Sequence, residues 1–197
     1  MTALTALAQA LGVAWTSGVS LYATVAFTGI AGRLGFVALP ASLHHLTSGW
    51  VIGLAVVLTA LEVAASLVPG VATAWEAVHT AVRPLAAAAL AVLVTWGGSP
   101  ALVTAAGLLG GGLGLAIHAT KLKLRAAVDA SPEPFSNAAA TGAELGAVAG
   151  VSWLAWHHPW LALAVALTVL GSLFLLARAL WRALRRATGW LAGDRAT

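Results

Sequence analysis

Six apolar runs, each about as long as a bilayer is thick, account for most of this chain, and short polar strings separate them. They cover residues 3–32, 50–68, 74–96, 101–118, 136–156 and 160–180. The separators include Pro69-Gly70, Gly97-Gly98-Ser99-Pro100 and His157-His158-Pro159. Proline disfavours the continuation of a helix and glycine ends one without strain, so each string reads as the close of a span. A water-facing domain carries roughly 25% charged residues. This chain carries 8%, with 60% hydrophobic residues and a mean hydropathy of +0.94. Lipid must then be its solvent, and the expected fold is an all-α integral membrane protein with six transmembrane helices.

Six spans put both termini on one side. Lys121, Lys123 and Arg125, with Arg178, Arg182, Arg185, Arg186 and Arg195, share that side, which collects eight of the ten basic residues. The positive-inside rule predicts that both termini are cytoplasmic and that the protein sits in the cell inner membrane. Trp50, Trp75, Trp96, Trp156, Trp160 and Trp181 fall near the predicted span ends, as an interfacial belt should. No Lys or Arg precedes Arg33, so the charged start of a signal peptide is missing.

Several function classes drop out. The chain has no cysteine, hence no disulfide, thiolate metal site or thiol nucleophile. No basic run interleaved with aromatics points to nucleic acid, and the formal charge of +4 reflects membrane orientation. No G-x-S-x-G or H-E-x-x-H string occurs, and the glycines from Gly110 to Gly114 lack the ending and preceding strand of a phosphate loop. No enzyme activity, metal or cofactor is expected. His44-His45 and His157-His158 read as interfacial histidines, because adjacent helical positions point about 100° apart and one pair rarely supplies two ligands.

The two halves resemble each other. Tyr22-Ala23-Thr24 matches His118-Ala119-Thr120, Arg33 matches Arg125, and Thr59-Ala60-Leu61-Glu62 matches Thr141-Gly142-Ala143-Glu144. Three spans per half require opposite orientations, so the expectation is two inverted three-helix repeats, residues 3–96 and 101–186, followed by a short cytoplasmic tail, 187–197. The first run is long for one span and is interrupted at Gly12 and again at Ser17-Gly18, so it is expected either to tilt strongly or to begin with a half-helix before a glycine break. The fourth is expected to break at its glycines, Gly107, Gly110, Gly111, Gly112 and Gly114. A stripe of Gly142, Gly146 and Gly150 on the fifth run reads as a packing surface for another helix or a second copy of the chain.

Five of the sixteen charged residues lie in HATKLKLRAAVDASPEPFSN, residues 118–137. His118, Lys121, Arg125 and Asp129 share a helical stripe about 80° wide, after which Ser131-Pro132-Glu133-Pro134 must turn the chain. Inside the spans the sharpest candidates are Glu62 and Glu144, since an ionisable group in a span is costly and usually functional. Glu62 shares a face with Thr59 and Ser66, and Glu144 shares one with Asn137 and Thr141. Glu76, His79, Thr80 and Arg83 also fall on one helical face. Glu62 and Glu144 are expected at one depth, meeting as a shared site with His79, Arg83, His118, Lys121 and Asn137 around them; snorkelling and charge neutralisation account for the same cations.

Several of these strings resemble a family of bacterial membrane proteins catalogued as domain of unknown function 4126. They are Ser17-Gly18-Val19-Ser20-Leu21-Tyr22-Ala23-Thr24, Pro69-Gly70, the run from Trp75-Glu76 through His79-Thr80 to Arg83-Pro84, His118-Ala119-Thr120-Lys121, and Ser131-Pro132-Glu133-Pro134-Phe135-Ser136-Asn137. The resemblance spans most of residues 12–160. It implies a membrane protein and marks these strings, and it implies no activity, substrate or site.

The expected function is that of a small secondary transporter or channel, moving a small solute or ion, with proton coupling through the intramembrane glutamates. Its partners would be the lipid bilayer, the transported species and further copies of itself. The alternative is a non-transporting scaffold, or a lipid-binding or assembly factor that docks through SPEPFSN. A wet interior cavity at Glu62 and Glu144 would favour transport, and a dry seam would favour the scaffold.

Overall fold

The computed structural model describes residues 2–68, 70–129 and 134–193. Helix α1 spans Ala3–Val19, and the Thr2 hydroxyl caps it by accepting from the Thr5 amide at 3.2 Å. Helix α2 spans Leu21–Arg33. A short 3-10 turn, Ala41–Thr47, leads into α3, Gly49–Ser66, which Ser48 caps. Helix α4 spans Val71–Thr95. It starts after Gly70, whose φ of +84° is one that only glycine adopts without strain. Helices α5, Pro100–Asp129, α6, Pro134–His157, and α7, Pro159–Gly193, complete the fold. No strand occurs among the described residues.

Among the described residues, three helical stretches are long and apolar enough to cross a membrane, Gly49–Ser66, Ala74–Thr95 and Pro100–Leu124. Ala3–Val19 and Pro159–Thr168 are shorter apolar stretches. Large side chains on the outer faces, such as Leu54, Val57 and Leu61 on α3 and Leu108 and Leu109 on α5, are exposed, as lipid-facing groups would be. The interior is built around α1, which packs against α4, α5, α6 and α7. Its core partners are small: Ala10 and Ala14 meet Ala87, Ala91, Ala106, Ala155 and Ala162, and Trp15 is buried in a cluster with Ile117, Val148 and Val151.

Both expected glycine breaks need correction. The first run does break, but at Ser20, in extended backbone of φ −148° and ψ 109°. Gly12 and Gly18 lie inside intact α1. Helix α5 is not broken at all: it runs for 30 residues, about 45 Å, straight through its glycines. Those glycines let helices touch. A Cβ added at Gly110 would lie 2.6 Å from the Ala91 Cβ, one at Gly107 2.9 Å from Val92, and one at Gly18 2.9 Å from the Gly114 carbonyl. Without water to drive apolar surfaces together, close backbone approach is what holds α4, α5 and α1 to each other.

The stripe of Gly142, Gly146 and Gly150 behaves oppositely. Among the described residues nothing lies within 4 Å of a Cβ built at any of the three, so the stripe packs against no described helix. Residues 130–133, with the core of the Pro-flanked string, and the Arg125 and Asp129 side chains lie outside the described residues.

These contacts separate the two glycine sets by stability. Gly114→Val would press its side chain onto Ala87 and should cost about 1–3 kcal/mol. Gly146→Leu should leave monomer stability unchanged. Thermal unfolding of both variants in one detergent checks the pair, and equal losses would contradict the packing described.

Candidate functional site

The site grows from the break at Ser20. Ending α1 one residue before α2 begins leaves two helix ends facing the interior. The α1 end offers the Val19 carbonyl, with the negative end of the helix dipole behind it; the α2 end offers amides and positive dipole. The Ser20 hydroxyl accepts from the Ala23 amide at 3.3 Å and donates to Glu62 Oε2 at 2.6 Å. The Lys121 ammonium donates to the Val19 carbonyl at 2.9 Å. A carboxylate thus meets the α2 start and an ammonium meets the α1 end, each at the pole that favours it.

Around this break four helices deliver charge. On α4, Arg83 is completely buried. Its Nη2 lies 2.5 Å from Glu62 Oε1, and its Nη1 lies 2.8 Å from Glu76 Oε2. Nη1 is also 3.1 Å from His118 Nδ1 on α5. Since a guanidinium only donates, that histidine nitrogen must accept, so His118 carries its proton on Nε2 and donates to the Thr80 hydroxyl at 3.1 Å. Lys121 reaches Glu144 on α6 at 2.9 Å, Glu76 at 3.3 Å and Glu62 at 3.5 Å. Glu62 and Glu76 are buried, while the Glu144 side chain is 23% exposed.

The structure brings Glu62, Arg83, His118, Lys121 and Glu144 together. Glu62 and Glu144 share the Lys121 ammonium and line one small cavity. That cavity lies between the break, α3, α5 and α6, and includes Thr59, Ser66 and Thr141 in its wall. Its volume of about 10 Å³ admits the centre of one water-sized sphere. Ser66 and Thr141 meet at 2.9 Å across the seam between α3 and α6.

Two expected members stand apart. His79 donates from Nδ1 to the Trp75 carbonyl at 2.7 Å, and its Nε2 accepts from the Tyr22 hydroxyl at 2.9 Å. Its ring stacks on Trp75 with centroids 4.6 Å apart, so it belongs to an aromatic layer beside the ion cluster. Asn137 is buried one turn before Thr141, and its Oδ1 has no hydrogen-bond partner among the described residues. No group of three or more His, Asp or Glu among the described residues is arranged to hold a metal ion.

Ser20 and Glu76 were missed as site residues. Glu76 was legible, because it shares a helical face with His79 and Arg83 at i, i+3 and i+7. Ser20 carries no such signal; it is one small polar residue in a run where Thr16, Ser17 and Thr24 look the same.

Comparison with known families then gives a name to the strings that built this cluster. A family model described as Domain of unknown function (DUF4126) matches residues 7–179. The chain belongs to that family. Every residue of the cluster falls inside the matched stretch. No curated protein and no solved structure matches the chain.

Arg83 is the member whose loss the cluster cannot absorb. Arg83→Leu would leave Glu62 and Glu76 buried with Lys121 as their remaining cation among the described residues, and should cost about 3–5 kcal/mol. Chemical denaturation in mixed micelles checks the size, and a loss under about 1 kcal/mol would show that water reaches the cluster freely.

Proposed function

We propose that this DUF4126 member is a six-span protein of the cell inner membrane, with both termini cytoplasmic and two inverted three-helix repeats, and that it moves a small solute or ion with proton coupling through Glu62 and Glu144. The observation that carries the reading is the shared cavity: two carboxylates, from α3 and α6, line one water-sized space beside the break between α1 and α2. Discontinuous helices whose free ends face charged groups are the building pattern of transporter sites. The three apolar helices and the lipid-like outer faces support the membrane setting.

The scaffold reading keeps one specific observation in its favour. The carboxylates are already matched by Arg83 and Lys121, and the cavity is small enough to leave the seam nearly dry. A cluster of this kind also serves to lock helix register.

Glu144→Gln is the cleaner test of transport, because Glu62→Gln would disturb the Arg83 pair as well. In proteoliposomes with an imposed pH gradient, the wild type should drive flux of at least one ion or small solute. Glu144→Gln should abolish the pH-dependent part while unfolding within about 1 kcal/mol of the wild type. A wild type that moves nothing across a broad screen would favour the scaffold. Topology has its own test: reporter fusions at Ser99 and Thr197 should report opposite compartments.

A further inference from the structure

We propose that the outward face of α7 at Arg178, Arg182 and Arg185 is a binding surface for the headgroups of anionic phospholipids. The inference rests on the membrane setting and on α7 crossing it, as in the six-span reading above; it does not depend on what the protein moves.

Helix α7 is longer than a bilayer is thick. Its 35 residues make about 52 Å of helix, against a hydrocarbon core of about 30 Å. Two tryptophans mark where the crossing falls. Trp160 and Trp181 lie about 32 Å apart along the axis, and both are more than half exposed, as interfacial anchors are. The helix continues unbroken past Trp181 to Gly193. Its last turns therefore stand at the headgroup layer and above it.

The arginines are on the side of α7 that faces lipid. At 100° per residue, Arg178, Arg182 and Arg185 fall within an arc of about 60°. Followed back into the span, that arc carries Leu167 and Gly171, with Phe174 and Leu175 within about 20° of its edges. All four of these residues are exposed, and so are the three arginines. A Cβ built at Gly171 meets nothing within 4 Å among the described residues. One continuous outward face thus changes from apolar to cationic at the level of Trp181, where acyl chains give way to headgroups.

The chemistry of that level selects the occupant. No Asp or Glu occurs between residues 145 and 193, so α7 brings no carboxylate of its own to balance the face. The Arg185 guanidinium lies over the Trp181 ring, 5.2 Å from its centroid, which couples a cation to the interfacial anchor. Arg182 Nε donates to the Arg178 carbonyl at 3.4 Å, which holds its side chain against the preceding turn, near the level of Trp181. Arg178 lies one turn deeper and reaches the same level by snorkelling. Guanidinium forks match the paired oxygens of a phosphate. A headgroup that keeps a net negative charge fits this face, whereas a zwitterionic one brings a competing cation of its own.

The test uses the purified full-length protein in neutral detergent micelles. Thermal unfolding is followed during titration with phosphatidylglycerol, with phosphatidylcholine of the same acyl chains, and with inorganic phosphate, since a ligand of the folded state raises stability with concentration. Phosphatidylglycerol should stabilise in a saturable way that neither of the others reproduces, and added NaCl should weaken the effect. Replacing all three arginines, Arg178→Gln, Arg182→Gln and Arg185→Gln together, should raise the half-saturating lipid fraction at least about tenfold. Lys123→Gln, which removes an exposed charge on α5, should leave it unchanged. If the triple variant does not fold, Arg182→Gln alone should raise it about threefold. Equal stabilisation by the two lipids, equal stabilisation by inorganic phosphate, or arginine variants that bind like the wild type overturn the inference. Fusions at Ser99 and Thr197 in opposite compartments without a preference for phosphatidylglycerol remove this inference and leave the six-span reading; the preference with both fusions in one compartment does the reverse.

Discussion

The guanidinium of Arg83 is wholly buried, and the arrangement of the surrounding helices follows from what that demands. Moving such a group away from water costs several kcal/mol even after relaxation, and the cost is offset only by well-placed acceptors. Glu62 supplies one from α3, Glu76 supplies another from its own helix, and the unprotonated Nδ1 of His118 supplies a third from α5. Those contacts fix the register of three helices against each other at one level. They also fix a tautomer, because His118 can accept from Arg83 only if its proton points to Thr80. The two carboxylates that satisfy Arg83 would themselves be too costly to bury, so Lys121 joins them and ties α6 into the same cluster through Glu144.

The break at Ser20 is the backbone counterpart of this cluster. An unbroken α1–α2 helix would keep the Val19 carbonyl inside its own hydrogen-bond ladder, out of reach of Lys121. A single extended residue releases it, and the Ser20 side chain repairs the other end by capping α2. Both gains depend on charges from distant helices: Glu62 lies 42 residues from Ser20 and Lys121 lies 102 residues from Val19. The break and the charge cluster therefore stabilise each other.

That dependence explains what could be read from the sequence. The ends of α3, α4 and α6 were legible because Pro69-Gly70, Gly97-Gly98-Ser99 and His157-His158-Pro159 stop a helix by local backbone chemistry alone. Glu62, Arg83, Lys121 and Glu144 were legible because a charge in an apolar run is costly wherever it falls. The place of the first break was not legible, because serine is tolerated inside a membrane helix and breaks one only when partners reward it. The α5 glycines were misread for a related reason. Glycine both weakens a helix and lets another approach, and the outcome was decided by Ala87 and Ala91 on α4, which no pattern within α5 reveals. Helix α6 shows the limit of hydropathy: with Asn137, Thr141, Glu144 and Ser152 along it, it is not among the three helices apolar enough to span by composition.

The packing around the cavity is uneven in a way that bears on function. Helices α1, α4 and α5 are knitted by alanine and glycine at close range, and α6 leans on α1 and α7. Across the cavity itself, α3 and α6 meet through few residues, and the contacts there are polar: Ser66 with Thr141, and Glu62 with Glu144 through Lys121. Apolar packing has no substitute once it is pulled apart. A hydroxyl pair or an ammonium–carboxylate pair does, because water or a cation can take over either side of it. Opening the seam between α3 and α6 would thus exchange one set of polar partners for another and sacrifice little of the close packing that holds the fold. The closely packed part of the fold holds Arg83, and the polar contacts across the cavity run through Lys121. Under the transport reading proposed above, that separation would let the site exchange polar partners without dismantling its scaffold.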